Sequence, residues 1–482
     1  MSKSRSIISG VIKYSFSSFS SIFLLLLLVV AGRKLGAHDF GVFSFALAFT
    51  FLLEPLLDPG LYHFLIRDIA RDRSSTSKYI SHALTYKLLI APIYFAICWA
   101  IAYGLHHSEK TIQVVHLMAL ATILKSTKDV FRSAILSHEK FGIDACSLAI
   151  ERISLLGFGF WMLMSGKGVI GLCWVFIAVR VCDLALTALI TRTWVAKFRL
   201  GSDVKFIVGL IAAAIPIGAF YVTLNVYNYI DTVMLSSIRG DVEVGWYSAS
   251  YRIYEGLLVL PVIISTVLLP RLSTLFTMDM ALFSHLMNRG LRYVFVMSLL
   301  VIGNGIILSE NVISLLYGAD YSQSVLALKI LLIGIAVVFP INLLQTVMLA
   351  VNKQKMIFVF AIIGLIANVI MNIFLIQKYG YVGAALATVA AEALVFCLLV
   401  LIAAEYMDRT VWWKAFIKPL FAALMPLTMI EVFMLPNSPI AQAVIFNVAF
   451  VIFLAVLRFF DDDEKRFLGD LIASVRLQLK IG

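Results

Sequence analysis

The sequence predicts an all-α polytopic membrane protein of about 14 transmembrane helices, arranged as two pseudo-symmetric six-helix lobes plus two C-terminal helices. Composition is the first reason: 61% of the 482 residues are hydrophobic, 14% are charged and mean hydropathy is +0.97, whereas soluble domains carry about 25% charged residues. The second reason is a series of long apolar segments, and the third is an internal repeat. A soluble domain of this length could not bury so much apolar surface.

Apolar segments long enough to cross a bilayer recur along the whole chain, and each is predicted to form one helix. The segments at 113–136 and 206–235 have the weakest support from hydropathy alone. The predicted spans are residues 12–32, 40–59, 80–103, 113–136, 144–165, 168–191, 206–235, 244–269, 291–309, 325–350, 356–376, 382–404, 414–434 and 440–457.

Lysines and arginines set the predicted orientation, because cytoplasmic loops are enriched in them. With both termini in the cytoplasm, basic residues concentrate in the inside loops at 67–78, 192–205 and 353–355, whereas the outside loops at 310–324 and 435–439 contain none. This topology accounts for the net charge of +11. The charge is therefore not a sign of a nucleic-acid partner.

A weak internal repeat supports the two lobes. Three pairs of short segments occupy the same topological place in each half: FGVFSFA (40–46) with VGWYSAS (244–250), EKFG (139–142) with NKQK (352–355), and KGVIG (167–171) with GYVGA (380–384). Six spans separate the copies, so the halves run parallel. The predicted domains are an N-terminal lobe at 1–200 (spans 1–6), a C-terminal lobe at 205–404 (spans 7–12), accessory spans 13 and 14 at 405–457, and a cytoplasmic tail at 458–482.

The predicted span at 113–136 carries four charges on one helical stripe. Lys125, Lys128, Asp129 and Arg132 follow one another at i, i+3, i+4 and i+7. A charge at mid-membrane costs roughly 2.5–3.5 kcal/mol, so four charges facing lipid would cost on the order of 10 kcal/mol. This stripe must therefore face other helices or water.

Cations outnumber acids among the residues placed within spans. The basic residues are Lys87, Lys125, Lys128, Arg132, Arg152, Arg180, Arg252 and Lys329, and the acids closest to them are Asp129, Glu151, Asp183 and Glu255. For any single pair, an ion pair joining two helices is an equal alternative. For the whole set, the surplus of cations favours a water-filled cavity that admits an anion. Arginine and lysine suit phosphate, and neighbouring amides and tyrosines suit a sugar or a pyrophosphate. The predicted substrate-cavity residues are Lys125, Lys128, Arg132, Arg152, Arg180, Arg252, Asn225, Asn228 and Tyr251.

Sequence signatures of catalysis and of bound cofactors are absent. The chain contains no P-loop and no H-E-x-x-H zinc motif, and its five cysteines form no C-x-x-C pair. Asp461 and Asp463 form a D-x-D pattern, but a tail of about 25 residues leaves no room for a sugar-nucleotide fold. We therefore predict no catalytic residues, no metal site and no cofactor.

Several segments resemble the polysaccharide exporters. They are GRKLGAHDFGVFSFA (32–46), LLDPGLYHFLIRDIAR (56–71), VGWYSASYRIYEGLLVLPVIISTVLLPRLS (244–273), SLLYGADYSQSVLALKIL (314–331) and KYGYVGAALATVAAE (378–392). Each motif alone is loose, but their order and spacing are specific. The chain resembles the Wzx-type O-antigen flippases of the multidrug/oligosaccharidyl-lipid/polysaccharide exporter superfamily.

This resemblance implies a transporter, not an enzyme, in the bacterial inner membrane. Its implied substrate is an undecaprenyl-pyrophosphate-linked oligosaccharide, moved from the cytoplasmic to the periplasmic leaflet. The fold implied is two lobes around a central cavity that opens alternately to each side. Polymerase and chain-length proteins of the same pathway are the implied partners, beside membrane lipids. Downhill substrate flow or a H⁺ or Na⁺ gradient would drive the cycle, and the candidates to carry the coupling ion are Asp129, Asp183 and Glu255.

Three other functions remain open on the sequence. A lipid II flippase would move another polyprenyl pyrophosphate, and the same lining would suit it. A cation-coupled multidrug exporter would need acids in its cavity, which the surplus of cations disfavours. A membrane glycan polymerase or ligase would need a large periplasmic loop, whereas the predicted outside loops stay under about 20 residues.

Overall fold

A computed structural model describes residues 21–407, 416–432, 438–457 and 459, and every regular element in these ranges is helical. The helices are α1 (Ser21–Leu52), α2 (Glu54–Leu57), α3 (Leu61–Arg71), α4 (Thr76–Gly104), α5 (Glu109–Ser137), α6 (Phe141–Met164), α7 (Gly168–Trp194), α8 (Val204–Arg239), α9 (Asp241–Leu257), α10 (Val259–Met278), α11 (Met280–Leu316), α12 (Ser324–Ala350), α13 (Gln354–Tyr379), α14 (Tyr381–Ala403), α15 (Lys418–Val432) and α16 (Pro439–Val456). Short 3₁₀ turns lie at Arg73–Ser75 and Ala319–Tyr321.

The predicted fold class is confirmed. Within the described ranges, 11 helical segments are long and apolar enough to cross a membrane. The polar segment predicted at 113–136 is also helical, as the 29-residue α5, which is about 43 Å long at 1.5 Å per residue. Residues 12–20 of the first predicted span, residues 414, 415, 433 and 434 of the thirteenth, and nearly all of the tail lie outside the described residues.

The described residues form two compact units. The first contains the chain up to Gly256 together with Ile313–Ala327 and Ala361–Ala391, and the second contains Leu257–Val312, Leu328–Phe360 and the residues from Glu392 onward. Helix α5 lies at the centre of the first unit, where it packs against α1, α3, α4, α6 and α7. The lobe boundaries inferred from the repeat remain predictions.

The backbone of the first unit shows the repeat at an offset of 204 residues. Gly36 (φ +75°, ψ +169°) breaks α1, and Gly240 (φ +88°, ψ +178°) separates α8 from α9. Both glycines hold a left-handed φ that side chains disfavour. Thus the boundary between predicted spans 1 and 2 has the same backbone conformation as the boundary between spans 7 and 8.

Two further glycines, Gly41 and Gly245, are related by the same offset and contact each other's helix. A Cβ atom added to Gly41 would lie 1.7 Å from the carbonyl oxygen of Asp241. A Cβ added to Gly245 would lie 2.0 Å from the carbonyl oxygen of Ala37. Positions 37 and 241 are themselves 204 residues apart, so the contact is reciprocal. We name it the glycine crossing.

In the second unit, α16 is held against α11 by polar and apolar contacts. The side-chain amides of Asn304 and Asn447 donate to each other at 3.0 and 2.9 Å. Beside them, the ring of Phe446 occupies the space that a side chain at Gly303 would need. An amide pair of this kind satisfies both polar groups inside a membrane.

Candidate functional site

The charged stripe of α5 is half-buried, except for the buried Lys128, and engages carboxylates from neighbouring helices. Lys125 Nζ donates to Glu54 Oε1 at 2.7 Å and to Asp129 Oδ2 at 3.3 Å. The former bond ties α5 to α2, whereas the latter lies within one helix. The predicted need for the stripe to face other helices is therefore met.

Lys128 is the most enclosed member of the stripe, with 3% of its side chain exposed. Its Nζ lies 2.6 Å from Glu151 Oε2 and 2.8 Å from Asp183 Oδ2. Since Glu151 belongs to α6 and Asp183 to α7, this one ammonium group joins three helices. Ser147 Oγ donates to Asp183 at 2.8 Å and so holds the carboxylate in place.

Arg132, the last member of the stripe, and Lys87 on the neighbouring α4 also bind carboxylates. The guanidinium of Arg132 donates to Asp144 through Nε at 2.6 Å and Nη2 at 3.0 Å, which is the bidentate geometry that arginine favours with a carboxylate. Lys87 Nζ, on α4, donates to Asp58 at 3.0 Å and to Ser126 Oγ at 2.7 Å. Both cations are thus paired within the first unit.

These contacts correct the predicted surplus of cations. The sequence prediction did not count Glu54, Asp58 and Asp144, which pair with Lys125, Lys87 and Arg132 respectively. The charged row of the first unit, as we define it, contains six cations and six carboxylates: Lys87, Lys125, Lys128, Arg132, Arg152 and Arg180 with Glu54, Asp58, Asp129, Asp144, Glu151 and Asp183. The row is therefore electroneutral.

Arg180 differs from the other members of the charged row. It is 5% exposed, and its guanidinium lies 5.5 Å from the centre of the Phe176 ring. Its Nε and Nη1 atoms have no hydrogen-bond partner among the described residues. Asp183 lies one turn away from Arg180 on the same helix, but it pairs with Lys128. Burying a guanidinium whose N–H groups lack acceptors costs free energy, and a ligand that supplies acceptors would recover it.

The remaining predicted cavity residues lie on α6, α8 and α9 of the same unit. Arg152 is half-buried on α6. Arg252 donates to Glu255 at 2.6 Å, and 52% of the Glu255 side chain is exposed. Tyr251 and Asn225 are half-buried, whereas Asn228 is exposed. Arg252 therefore pairs with Glu255 on its own helix rather than with a carboxylate of the charged row, and Arg252, Asn225 and Asn228 remain accessible.

A second polar cluster surrounds Asp231 on α8, which is not among the residues predicted from the sequence. Asp231 is buried and accepts hydrogen bonds from Asn372 at 2.6 Å, Thr388 at 2.6 Å and Tyr247 at 3.1 Å. Asn372 also donates to Asn368 at 3.0 Å, and its own Oδ1 atom is buried with no partner among the described residues. The regular spacing of Asn368 and Asn372 on span 11 was the signal that could have revealed this cluster.

Asp231 also differs from the three predicted ion-coupling residues. Asp129 lies 3.3 Å from Lys125, Asp183 lies 2.8 Å from Lys128, and Glu255 lies 2.6 Å from Arg252. In the described part of the chain, Asp231 forms no ion pair, and its partners are hydroxyl and amide groups. Four side chains therefore offer oxygen atoms around one uncompensated carboxylate, and oxygen atoms are the ligands that a hard cation prefers.

Comparisons with known proteins agree with this architecture. Residues 7–276, more than half of the chain, match the protein family described as "Polysaccharide biosynthesis protein". The "Putative O-antigen transporter" of Shigella flexneri is 26% identical over 378 residues, which span 73% of this chain and 87% of that protein. The "Probable low-salt glycan biosynthesis flippase Agl15" of Haloferax volcanii is 22% identical over 79% of this chain and 78% of its own length.

A solved structure has the same fold. The structure named "Lipid II flippase MurJ, inward closed conformation" superimposes with a TM-score of 0.78 at 18% sequence identity, covering 96% of this chain and 100% of that chain. At this identity the likeness concerns the helical architecture.

Proposed function

Because this chain belongs to the polysaccharide biosynthesis protein family, we propose that it flips an undecaprenyl-pyrophosphate-linked oligosaccharide, an O-antigen or similar repeat unit, across the membrane by alternating access. The family assignment confirms the resemblance seen in the sequence motifs. The direction proposed is from the cytoplasmic to the periplasmic leaflet of the bacterial inner membrane, with both termini in the cytoplasm. The relatives named as an O-antigen transporter and a glycan flippase support this proposal.

The observation that carries the proposal is the buried guanidinium of Arg180 beside an otherwise paired charged row. A pyrophosphate supplies the acceptors that Arg180 Nε and Nη1 lack. Arginine binds phosphate through two parallel hydrogen bonds, so this group provides affinity and orientation together. The paired cations stabilise the protein without substrate, and Arg180 binds the pyrophosphate of the substrate.

Release of the substrate follows from competition within the charged row. Lys125 bridges Glu54 and Asp129, and Lys128 bridges Glu151 and Asp183. These carboxylates therefore compete with a bound phosphate for each ammonium group. A phosphate that draws a lysine away from a carboxylate changes which helices are tied together. A ligand shifts a conformational equilibrium only through such differential contacts. The lipid tail remains in the bilayer throughout.

The Arg180→Ala substitution should reduce flipping at least about tenfold, since one charge-assisted contact is worth about 1.5–3 kcal/mol. Vesicles containing the purified protein and undecaprenyl pyrophosphate carrying one N-acetylglucosamine provide the assay, read by an impermeant lectin on the opposite face. Arg180→Lys keeps the charge but loses the second hydrogen bond and should recover only part of the rate. Lys167→Ala, in the exposed turn between α6 and α7, is the matched control and should flip normally.

The same vesicles separate this function from the alternatives. Normal flipping by Arg180→Ala would contradict the proposed role of Arg180. Faster movement of lipid II than of the glycan lipid would favour the lipid II flippase, and movement of cationic dyes alone would favour a multidrug exporter.

We further propose that a H⁺ or Na⁺ gradient drives the cycle and that Asp231 carries the coupling ion. This assignment replaces Asp129, Asp183 and Glu255 as first choice, since each of those carboxylates already has a cation beside it. The unpartnered Oδ1 of Asn372 supports the choice, because a bound cation would complete its contacts. A proton on Asp231 would instead neutralise the buried carboxylate.

The Asp231→Asn substitution should abolish the acceleration of flipping by an imposed ion gradient. It keeps the size and most hydrogen bonds of the side chain, but removes the charge that holds the ion. Sodium and proton gradients are imposed separately on the vesicles, and binding of radioactive sodium is measured in parallel. Glu255→Gln is the matched control and should respond normally. A full gradient response in Asp231→Asn would refute the assignment.

A further inference from the structure

Two aromatic rings from different helices stack face to face in the first unit. The rings of His63 on α3 and Tyr221 on α8 have centroids 3.6 Å apart and planes 7° from parallel. Tyr62 meets the edge of His63 at 5.0 Å, and Phe220 meets Tyr221 at 5.6 Å, both nearly perpendicular. We name these four residues the aromatic platform.

A close backbone contact fixes the stack. A Cβ atom added to Gly218 would lie 2.0 Å from the carbonyl oxygen of Pro59, and one added to Gly60 would lie 2.4 Å from the backbone of Gly218. His63 follows Gly60 by three residues, and Tyr221 follows Gly218 by three residues. Each ring therefore stands about one turn beyond the point where the two backbones meet, and the stack is built into the fold.

The aromatic platform is accessible, unlike an ordinary aromatic core cluster. Tyr221 is 42% exposed, and Tyr62, His63 and Phe220 are half-buried. Tyr221 also begins the polar face of α8, on which Asn225 and Asn228 follow at i+4 and i+7. Amide side chains facing lipid would lack hydrogen-bond partners, which is unfavourable. The exposed edge of the platform therefore faces polar space.

The platform adjoins the charged row. The guanidinium carbon of Arg132 lies 5.8 Å from the centre of the Tyr62 ring. Arg132 in turn holds Asp144 and lies 3.7 Å from Asp129. A substrate whose phosphates lie at the charged row would thus extend its next chemical group over the aromatic rings and the amides of α8.

We propose that the aromatic platform, with Asn225 and Asn228, is the sugar subsite of the transporter, and that it binds the pyranose nearest the pyrophosphate. Aromatic faces carry negative charge that attracts the polarised C–H groups of a sugar ring. Side-chain amides donate and accept at once, which suits neighbouring hydroxyl groups. This subsite rests on the proposed flipping of a lipid-linked glycan and divides that site into a phosphate part and a sugar part.

The test compares binding of sugar-free and sugar-bearing lipids by the purified protein in nanodiscs. The probes are undecaprenyl pyrophosphate, which has no sugar, and undecaprenyl pyrophosphate carrying a single N-acetylglucosamine, glucose or galactose. Tyr221→Ala should weaken binding of the sugar-bearing lipids about tenfold, as expected for one lost stacking contact, and leave binding of the sugar-free lipid unchanged. Tyr221→Phe keeps the ring and should bind both as the unmodified protein does.

The outcomes separate the subsite from the proposed function. If Tyr221→Ala weakened binding of the sugar-free and sugar-bearing lipids equally, or left binding of all sugar-bearing lipids unchanged, the sugar subsite would be overturned. The proposed flippase function would still stand. Failure of the unmodified protein to bind either lipid would overturn the flippase and the subsite together. Arg180→Ala completes the design, because it should weaken binding of the sugar-free and sugar-bearing lipids equally, as expected for a residue that binds the phosphates.

Discussion

The Gly41→Ala and Gly245→Ala substitutions should each abolish flipping in the vesicle assay, because no methyl group fits at the glycine crossing. The added carbon would lie 1.7 Å or 2.0 Å from a backbone carbonyl oxygen. Backbone atoms cannot move aside as a flexible side chain can, so α1 and α9 would have to separate. Since the contact is reciprocal, the two substitutions should have similar effects, which we expect to exceed those of any other glycine-to-alanine change in α1 or α9.

Control substitutions at Gly157 and Gly209 make this prediction specific. In the described structure, no atom outside the local helix lies within 4 Å of a Cβ at either position. Alanine favours a helix over glycine by about 1 kcal/mol, so Gly157→Ala and Gly209→Ala should be neutral or slightly stabilising. Flipping by Gly41→Ala at the unmodified rate would show that the crossing can open without cost.

The Lys128→Ala substitution should lower the stability of the protein by about 3–5 kcal/mol, since it leaves Glu151 and Asp183 buried without their shared cation. The measurement is thermal unfolding of the purified protein in detergent. The triple variant Lys128→Met, Glu151→Gln, Asp183→Asn removes all three charges and should recover most of the lost stability. Recovery of stability without recovery of flipping would separate the structural role of the charges from their role in transport.

An exposed ion pair supplies the matched control for Lys128. Arg73 and Glu139 lie 2.8 Å apart with about half or more of each side chain exposed. Exposed pairs contribute little because water competes for both charges, so Arg73→Ala should leave the unfolding temperature nearly unchanged. Equal destabilisation by Arg73→Ala and Lys128→Ala would contradict the dependence on burial.

The helices were predictable from the sequence because the membrane imposes their length and apolarity on the chain. The span predicted at 144–165 is helix Phe141–Met164, and the span predicted at 382–404 is helix Tyr381–Ala403. Even α5 could be recognised, since its charges fall on one stripe. Length and apolarity located the spans, and helical periodicity identified the stripe.

The partners of the charges could not be predicted in the same way. Asp144 lies 12 residues from Arg132, and Glu54 lies 71 residues from Lys125. Sequence spacing reports neighbours on one helix, whereas these pairs join different helices. The sequence count left out Glu54, Asp58 and Asp144, although all three lie within predicted spans, and this omission produced a surplus of cations that the fold removes.

Asp231 and the aromatic platform illustrate the same limit. The carboxylate lies 141 residues from Asn372 and 157 from Thr388, and no local pattern connects them. His63 and Tyr221 become neighbours only because Gly60 and Gly218 allow their backbones to touch. The repeat could be read in the sequence, but the meeting of its two copies at Gly41 and Gly245 required the structure.

The balanced charged row has a consequence for the membrane potential. A charge that crosses the full potential gains or loses about 2.3 kcal/mol per 100 mV. The six cations and six carboxylates of the row cancel, so their displacement in the empty protein involves almost no net electrical work. Voltage should therefore act on the cycle chiefly through the phosphates and the coupling ion. The charged row itself would then add no voltage dependence to the return of the empty carrier.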